Sequence, residues 1–164
     1  MTDGAPIKGD AIANPIDSRN ATDEREWISA TVGASGFRAD VQAGPHSYIA
    51  DEPIALGGTS LGPTPYELLL GALSSCMAMT LRMYADRKGW PLQGVTIQLR
   101  TDRAHQQDCE ACETKEVGQS RIARRIELTG PLTNEQRTRL LQIADRCPVK
   151  QTLERGLKVE SVSQ

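Results

Sequence analysis

Four cysteines, Cys76, Cys109, Cys112 and Cys147, are the residues of this 164-residue chain best suited to chemistry beyond hydrogen bonding. A thiolate is a nucleophile and a metal ligand, and its reactivity depends on whether its surroundings favour the charged form. Cys76 stands inside an apolar stretch, where a cysteine taken alone reads as a small buried hydrophobe. Cys147 precedes Pro148 at the start of a short helical segment, where the positive helix end favours a thiolate. His105, Cys109 and Cys112 form a third group, flanked by Asp108, Glu110 and Glu113. That cysteine spacing suits zinc, but a closed structural site takes four ligands and the group falls short of that. An auxiliary disulfide is a further option. The leading reading is a polar loop with incidental cysteines, so no metal and no cofactor is assigned. His46 on a strand and Lys150 in a short helix read as structural or solvated groups.

The elements around these residues are marked by punctuation. Thr64-Pro65-Tyr66-Glu67 has the form of a capping box with proline at the first helical position, and predicts a helix start. The following stretch is apolar on nearly every face and should be surrounded by protein on all sides. Its end is set by Arg87 and Lys88, by Gly89 as a left-handed cap and by Pro91. Alternation predicts short antiparallel strands over 27–32, 37–43 and 46–50, a pair over 95–99 and 121–128, and a closing strand over 157–162. Thr133-Asn134-Glu135-Gln136 is a second capping box opening an amphipathic helix to about Arg146. This order is α+β and lacks the regular alternation of a parallel sheet. The expected organisation is a flexible tail over 1–25 and one domain over 26–164.

Composition excludes several function classes. Net charge is −2, pI is about 5.7 and basic residues are mixed with acidic ones, so nothing resembles an electrostatic footprint for nucleic acid or an anionic membrane. The uncharged run 68–81 is shorter than the ~20 residues of a membrane-spanning helix. No apolar block near the first residue suggests an export signal, so a cytoplasmic location is expected. Neither histidine sits in a nucleophile–base arrangement, which disfavours a hydrolase.

Ala50-Asp51-Glu52-Pro53, then Gly62-Pro63-Thr64-Pro65-Tyr66-Glu67-Leu68-Leu69-Leu70, Cys76 within that helix, and Cys147-Pro148-Val149 together resemble the osmotically inducible protein C (OsmC) and organic hydroperoxide resistance superfamily, over roughly Trp27 to Val162. The resemblance implies an OsmC-like α+β fold with antiparallel sheets around a long buried central helix, and an interlocked homodimer. It implies a cysteine-dependent peroxidase that reduces organic hydroperoxides, and hydrogen peroxide as a further substrate, in oxidative or osmotic stress defence. Cys76 would become a sulfenic acid, Cys147 would resolve it as a Cys76–Cys147 disulfide, and an external dithiol would restore the thiols. In the hydroperoxide resistance branch an arginine from an early strand turn and a glutamate upstream on the helix orient the thiolate. Here Tyr66 holds that glutamate's place and Glu67 follows it, while Arg38 lies in the region of the arginine. For Glu67 the capping and catalytic roles both remain open, and for Arg38 so does a solvated strand position. A non-catalytic relative holding a small lipophilic ligand at the dimer interface is the alternative, and a zinc protein built on His105, Cys109 and Cys112 is a further one.

Overall fold

A computed structural model describes residues 27–101 and 121–161; the expected tail over 1–25 and the His105, Cys109 and Cys112 group lie outside the described residues. The axis of the fold is helix α1, Pro65–Lys88. Its start is specified locally: the Thr64 side chain accepts from the Glu67 N–H, the Glu67 carboxylate accepts from the Thr64 N–H at 2.8 Å, and Pro65 contributes no orphan donor. Its end is Gly89 at φ 63°, whose N–H returns to the Ala85 and Asp86 carbonyls. Within the helix Ser74, Ser75 and Thr80 turn their hydroxyls back onto the carbonyls of Gly71, Ala72 and Cys76, which removes polar demand from an apolar element.

Residues Leu73, Met77, Leu81 and Ala85 recur every four positions and form the buried stripe of α1. They meet an antiparallel hairpin of β4, Gly94–Thr101, and β5, Ile122–Thr129, whose register sets Val95 opposite Leu128 and Ile97 opposite Ile126. Two further helices complete the cover, α2 over Asn134–Ala144 and α3 over Pro148–Arg155. Helix α2 opens with the second capping box, Thr133 with Gln136, and inserts Leu140, Ile143 and Ala144 into the core. Arg137 fixes it to the hairpin by donating to the carbonyls of Leu128 and Gly130 at 2.7 and 2.8 Å.

The other sheet is a meander of β1, Ser29–Val32, β2, Ala39–Ala43, and β3, His46–Ala50. A Gly44-Pro45 turn joins β2 to β3, with Gly44 at φ 56°. This sheet supplies no residue to the core cluster around α1. It is tied to the start of α1 through Asp51, which is 2% exposed. The Asp51 carboxylate accepts from the N–H groups of Glu52, Thr59 and Leu61 and from the Thr59 hydroxyl, at 2.5–3.2 Å, while the Asp51 N–H reaches the Pro63 carbonyl. Gly62 passes so close to the Ile49 carbonyl that a Cβ would collide with it.

Two expectations need correction. Helix α1 is covered along one side only: Met79 and Met83 are more than 60% exposed, because one hairpin and two helices cannot encircle it. The closing strand is not formed over 157–161: every residue there is exposed, Leu157 and Val159 included, and among the described residues no strand pairs with them.

Two outcomes are expected. Leu140→Ala should lower unfolding free energy by about 2–5 kcal/mol in denaturant titration, since this fully buried side chain fills the α1–α2 contact; a loss below about 0.5 kcal/mol would place it outside the core. The hydrogen bond from the Thr59 hydroxyl, followed by backbone N–H bonds that together outweigh the opposing effect of burial, holds the Asp51 carboxyl down to about 2 from its ordinary 3.8. A depressed carboxyl stabilises the fold fully above its unfolded value and loses that contribution as pH falls through the folded value. The melting-temperature gap between wild type and Asp51→Asn should therefore be full above pH 3.8 and shrink as pH approaches 2; a gap independent of pH would show that the charge is not what holds the loop.

Candidate functional site

Cys76 and Cys147 are brought together by three helices. Cys76 lies midway along α1, partly exposed and packed against the core cluster. Cys147 occupies the N-cap of α3, immediately after α2 ends, and is fully buried. Its backbone is fixed on both sides: the Cys147 N–H reaches the Ala144 carbonyl at 3.3 Å, and the Cys147 carbonyl accepts from Gln151 N–H at 3.0 Å. Both sulfurs are free thiols, and both cysteines belong to or pack against the same core cluster.

The electrostatics of Cys147 differ from the expectation based on its helix end alone. Burial pushes this thiol up, and contact with Cys76 adds to the rise. The backbone N–H groups of Lys150 and Val149, in the first turn of α3, pull the other way. Their geometry falls short of a cap hydrogen bond, so they act as nearby dipoles and desolvation wins.

The turn carrying Cys147 is braced by charges that sequence reasoning missed. Asp145, the C-cap of α2, pairs with Arg124 of β5 at 2.7 Å and with Lys150 of α3 at 3.5 Å, and Lys150 also pairs with Glu154 at 2.6 Å. The hydrogen bond from Arg124 holds the Asp145 carboxyl below its usual value. These groups are partly exposed, so each pair contributes at most about 1 kcal/mol, but together they bind β5, α2 and α3 around one short turn. The signal in the sequence was an aspartate two residues before Cys147; its partner on a distant strand carried none.

A cleft of about 390 Å3 lies between α1, the Thr101–Ile122 end of the β4–β5 hairpin and α3; neither cysteine lines it, but Met77, next to Cys76 in the chain, and Lys150, three residues after Cys147, do. Leu69, Leu73, Met77, Leu99, Ile122 and Leu153 make most of its wall apolar, and Arg124, Lys150 and Glu154 edge it. Tyr66 also lines it. Lys150 therefore belongs both to the cleft and to the first turn beside Cys147.

The other expected site residues are placed elsewhere. Glu67 is engaged in the capping box; at about 100° and 1.5 Å per residue it lies on the opposite side of α1 from Cys76, roughly 13 Å nearer the start. Arg38 pairs with Asp40 at 2.7 Å on the three-stranded sheet, away from the cluster that holds the cysteines. His46 is exposed at the start of β3. Among the described residues no group of three or more histidine, cysteine, aspartate or glutamate side chains is placed to hold a metal ion.

Known structures share this fold. An OsmC-like protein from Mycoplasma pneumoniae superposes with TM-score 0.64 at 19% identity, covering 80% of this chain and 89% of its own. An organic hydroperoxide resistance protein from Elizabethkingia anophelis superposes with TM-score 0.55 at 18% identity, covering 77% and 86%. An organic hydroperoxide resistance protein, OsmC, from Legionella pneumophila gives 0.54 at 16% identity, covering 77% and 88%. At these identities the likeness shows the fold alone. No curated protein sequence matches the chain. The family model described as OsmC-like protein matches residues 57–162, a span that holds α1, the hairpin, both later helices and both thiols and makes up more than half of the chain, and the chain therefore belongs to the OsmC-like family.

Proposed function

We propose that this protein is a thiol-dependent peroxidase that reduces organic hydroperoxides, with hydrogen peroxide as a further substrate. The observation that carries the reading is a pair of free thiols gathered at one core cluster, Cys76 partly exposed and Cys147 buried, with an apolar cleft lined by Met77, the residue after Cys76. In this reading the Cys76 thiolate attacks one peroxide oxygen, the O–O bond breaks, and Cys76 becomes a sulfenic acid as the alcohol leaves. Cys147 then displaces hydroxide from the Cys76 sulfur to form the disulfide, and an external dithiol reduces it. The apolar wall of the cleft suits the organic part of a hydroperoxide. Organic hydroperoxide resistance proteins among the structural neighbours support the same class of chemistry.

The working unit in this proposal is a homodimer. Among the described residues three features are exposed: the Met79 and Met83 side of α1, the three-stranded sheet with Trp27, Ile28 and Phe37 beside it, and the segment 157–161 with Leu157 and Val159. Exposed apolar side chains gathered on one element are the kind of surface that a partner covers. A second copy placing its sheet against the bare side of α1 would bury the first two at once.

A second reading rests on Glu67 and Arg38. Both are engaged away from the thiols within one chain, and an apolar cleft without them suits a non-catalytic carrier of a small lipophilic ligand.

Under single-turnover conditions the reduced protein should consume cumene hydroperoxide, form a Cys76–Cys147 bridge detectable by mass spectrometry, and fall to the uncatalysed background on Cys76→Ser. If both thiols stay free and the peroxides are untouched, the carrier reading replaces this one. In sedimentation experiments at micromolar concentration the protein should run at twice its 17.9 kDa chain mass, and Met79→Glu with Met83→Glu should shift it toward the single-chain mass. A wild type that sediments as one chain at tens of micromolar sinks the dimer.

A further inference from the structure

We infer that the cleft between α1, the β4–β5 hairpin and α3 is a binding site for a carboxylate on an apolar chain, whose head exchanges with Asp145 for the side chains of Arg124 and Lys150. The site goes beyond the peroxidase reading and holds whether or not the thiols turn over, since neither cysteine lines the cleft.

The geometry of a carboxylate between these two cations is already present in the fold. Arg124 Nη1 and Lys150 Nζ reach the same oxygen, Asp145 Oδ1, at 2.7 and 3.5 Å, so positive charges from β5 and α3 converge on one carboxylate. Arg124 and Lys150 line the cleft, and Asp145 does not. The two cations therefore stand between an acceptor outside the cleft and a molecule that enters it.

Charge and shape select that molecule. Glu154 is the one acidic side chain in the lining against these two cations, which leaves a single positive charge and suits a monoanion better than a doubly charged phosphate ester. Leu69, Leu73, Met77 and Leu153 give an attached chain an apolar wall, and a volume of about 390 Å3 is near the lower end of the range for small-molecule pockets. A short polar acid would leave that wall wet, and an uncharged chain would leave the cations unused. The exchange costs little. Asp145 is half-exposed, so its pairs are worth at most about 1 kcal/mol each and its carboxylate returns readily to water. A carboxylate held by its chain against the apolar wall meets the same cations farther from solvent, where the attraction is stronger.

The test is isothermal titration of the reduced full chain with decanoate and with decanol, in the absence of any peroxide. Decanoate should saturate at one per chain and bind about 5-fold or more tightly than decanol. Lys150→Met and Arg124→Met keep an apolar stem and remove the charge. Each should weaken decanoate about 5-fold and leave decanol within about two-fold, the decanol result showing that the cleft is still formed. Asp145→Asn removes the competing carboxylate and should tighten decanoate about 3-fold, an effect that damage to the turn would not produce. Absence of saturable decanoate binding, equal affinity for decanoate and decanol, decanoate affinity unchanged in both methionine variants, or weaker decanoate binding by Asp145→Asn each overturns the inference. Peroxide turnover by a protein that binds no decanoate sinks this site and leaves the peroxidase standing, whereas decanoate binding by a protein inert toward peroxides does the reverse.

Discussion

The structure depends on how an apolar helix is covered. Helix α1 has nearly no charged residue between Glu67 and Arg82, so almost every side of it must be shielded from water. One chain offers a two-stranded hairpin and two helices, and these shield only the stripe from Leu73 to Ala85. Cys76 sits just off that stripe, packed against the core yet partly open. A cysteine on the stripe would be closed off from solvent, and one on the opposite side would point away from the cluster that holds Cys147. Cys76 thus holds the margin between the covered and bare sides of α1.

Cys147 reaches the cluster beside that margin only because the chain that carries it is held in place. Local devices do this at both ends. Capping boxes set the first residues of α1 and α2, and the Asp51 carboxylate gathers the loop ahead of α1 onto the end of β3. At the far end Asp145 is held by Arg124 and Lys150, so the turn leading into α3 cannot shift without breaking charge pairs on two elements. Each pair is weak alone, but several acting on one short turn restrict it in different directions.

What could be read from the sequence divides along the same line between local and distant chemistry. The start of α1 at Thr64, its end at Gly89 and the start of α2 at Thr133 are written in neighbouring residues and were legible, as were β1 to β5 from alternation and glycine-rich punctuation. The segment 157–161 alternates as well, but a strand exists only beside another strand, and alternation does not say where that edge is. Bareness of one side of α1 was invisible for the same reason, because an all-apolar helix looks alike whether its cover comes from its own chain or another. At the site, the juxtaposition of Cys76 and Cys147 followed from the resemblance and not from spacing. The double use of Glu67 remained open because a capping glutamate and a catalytic one have the same sequence signature until the helix face is known. The Arg124–Asp145 pair joins residues of different elements, and nothing near either announced the other.

Cys147 shows most clearly how position outweighs local pattern. Its place at the start of α3 argues for a thiolate, and the N–H groups of Val149 and Lys150 do pull in that direction. Desolvation in a fully closed core pulls harder, since charge loses more from leaving water than it gains from a few backbone dipoles that make no direct bond. Both influences act on the charged form, burial against it and the helix end for it, so the state of this cysteine is set by the whole of its surroundings and not by its place in the helix alone.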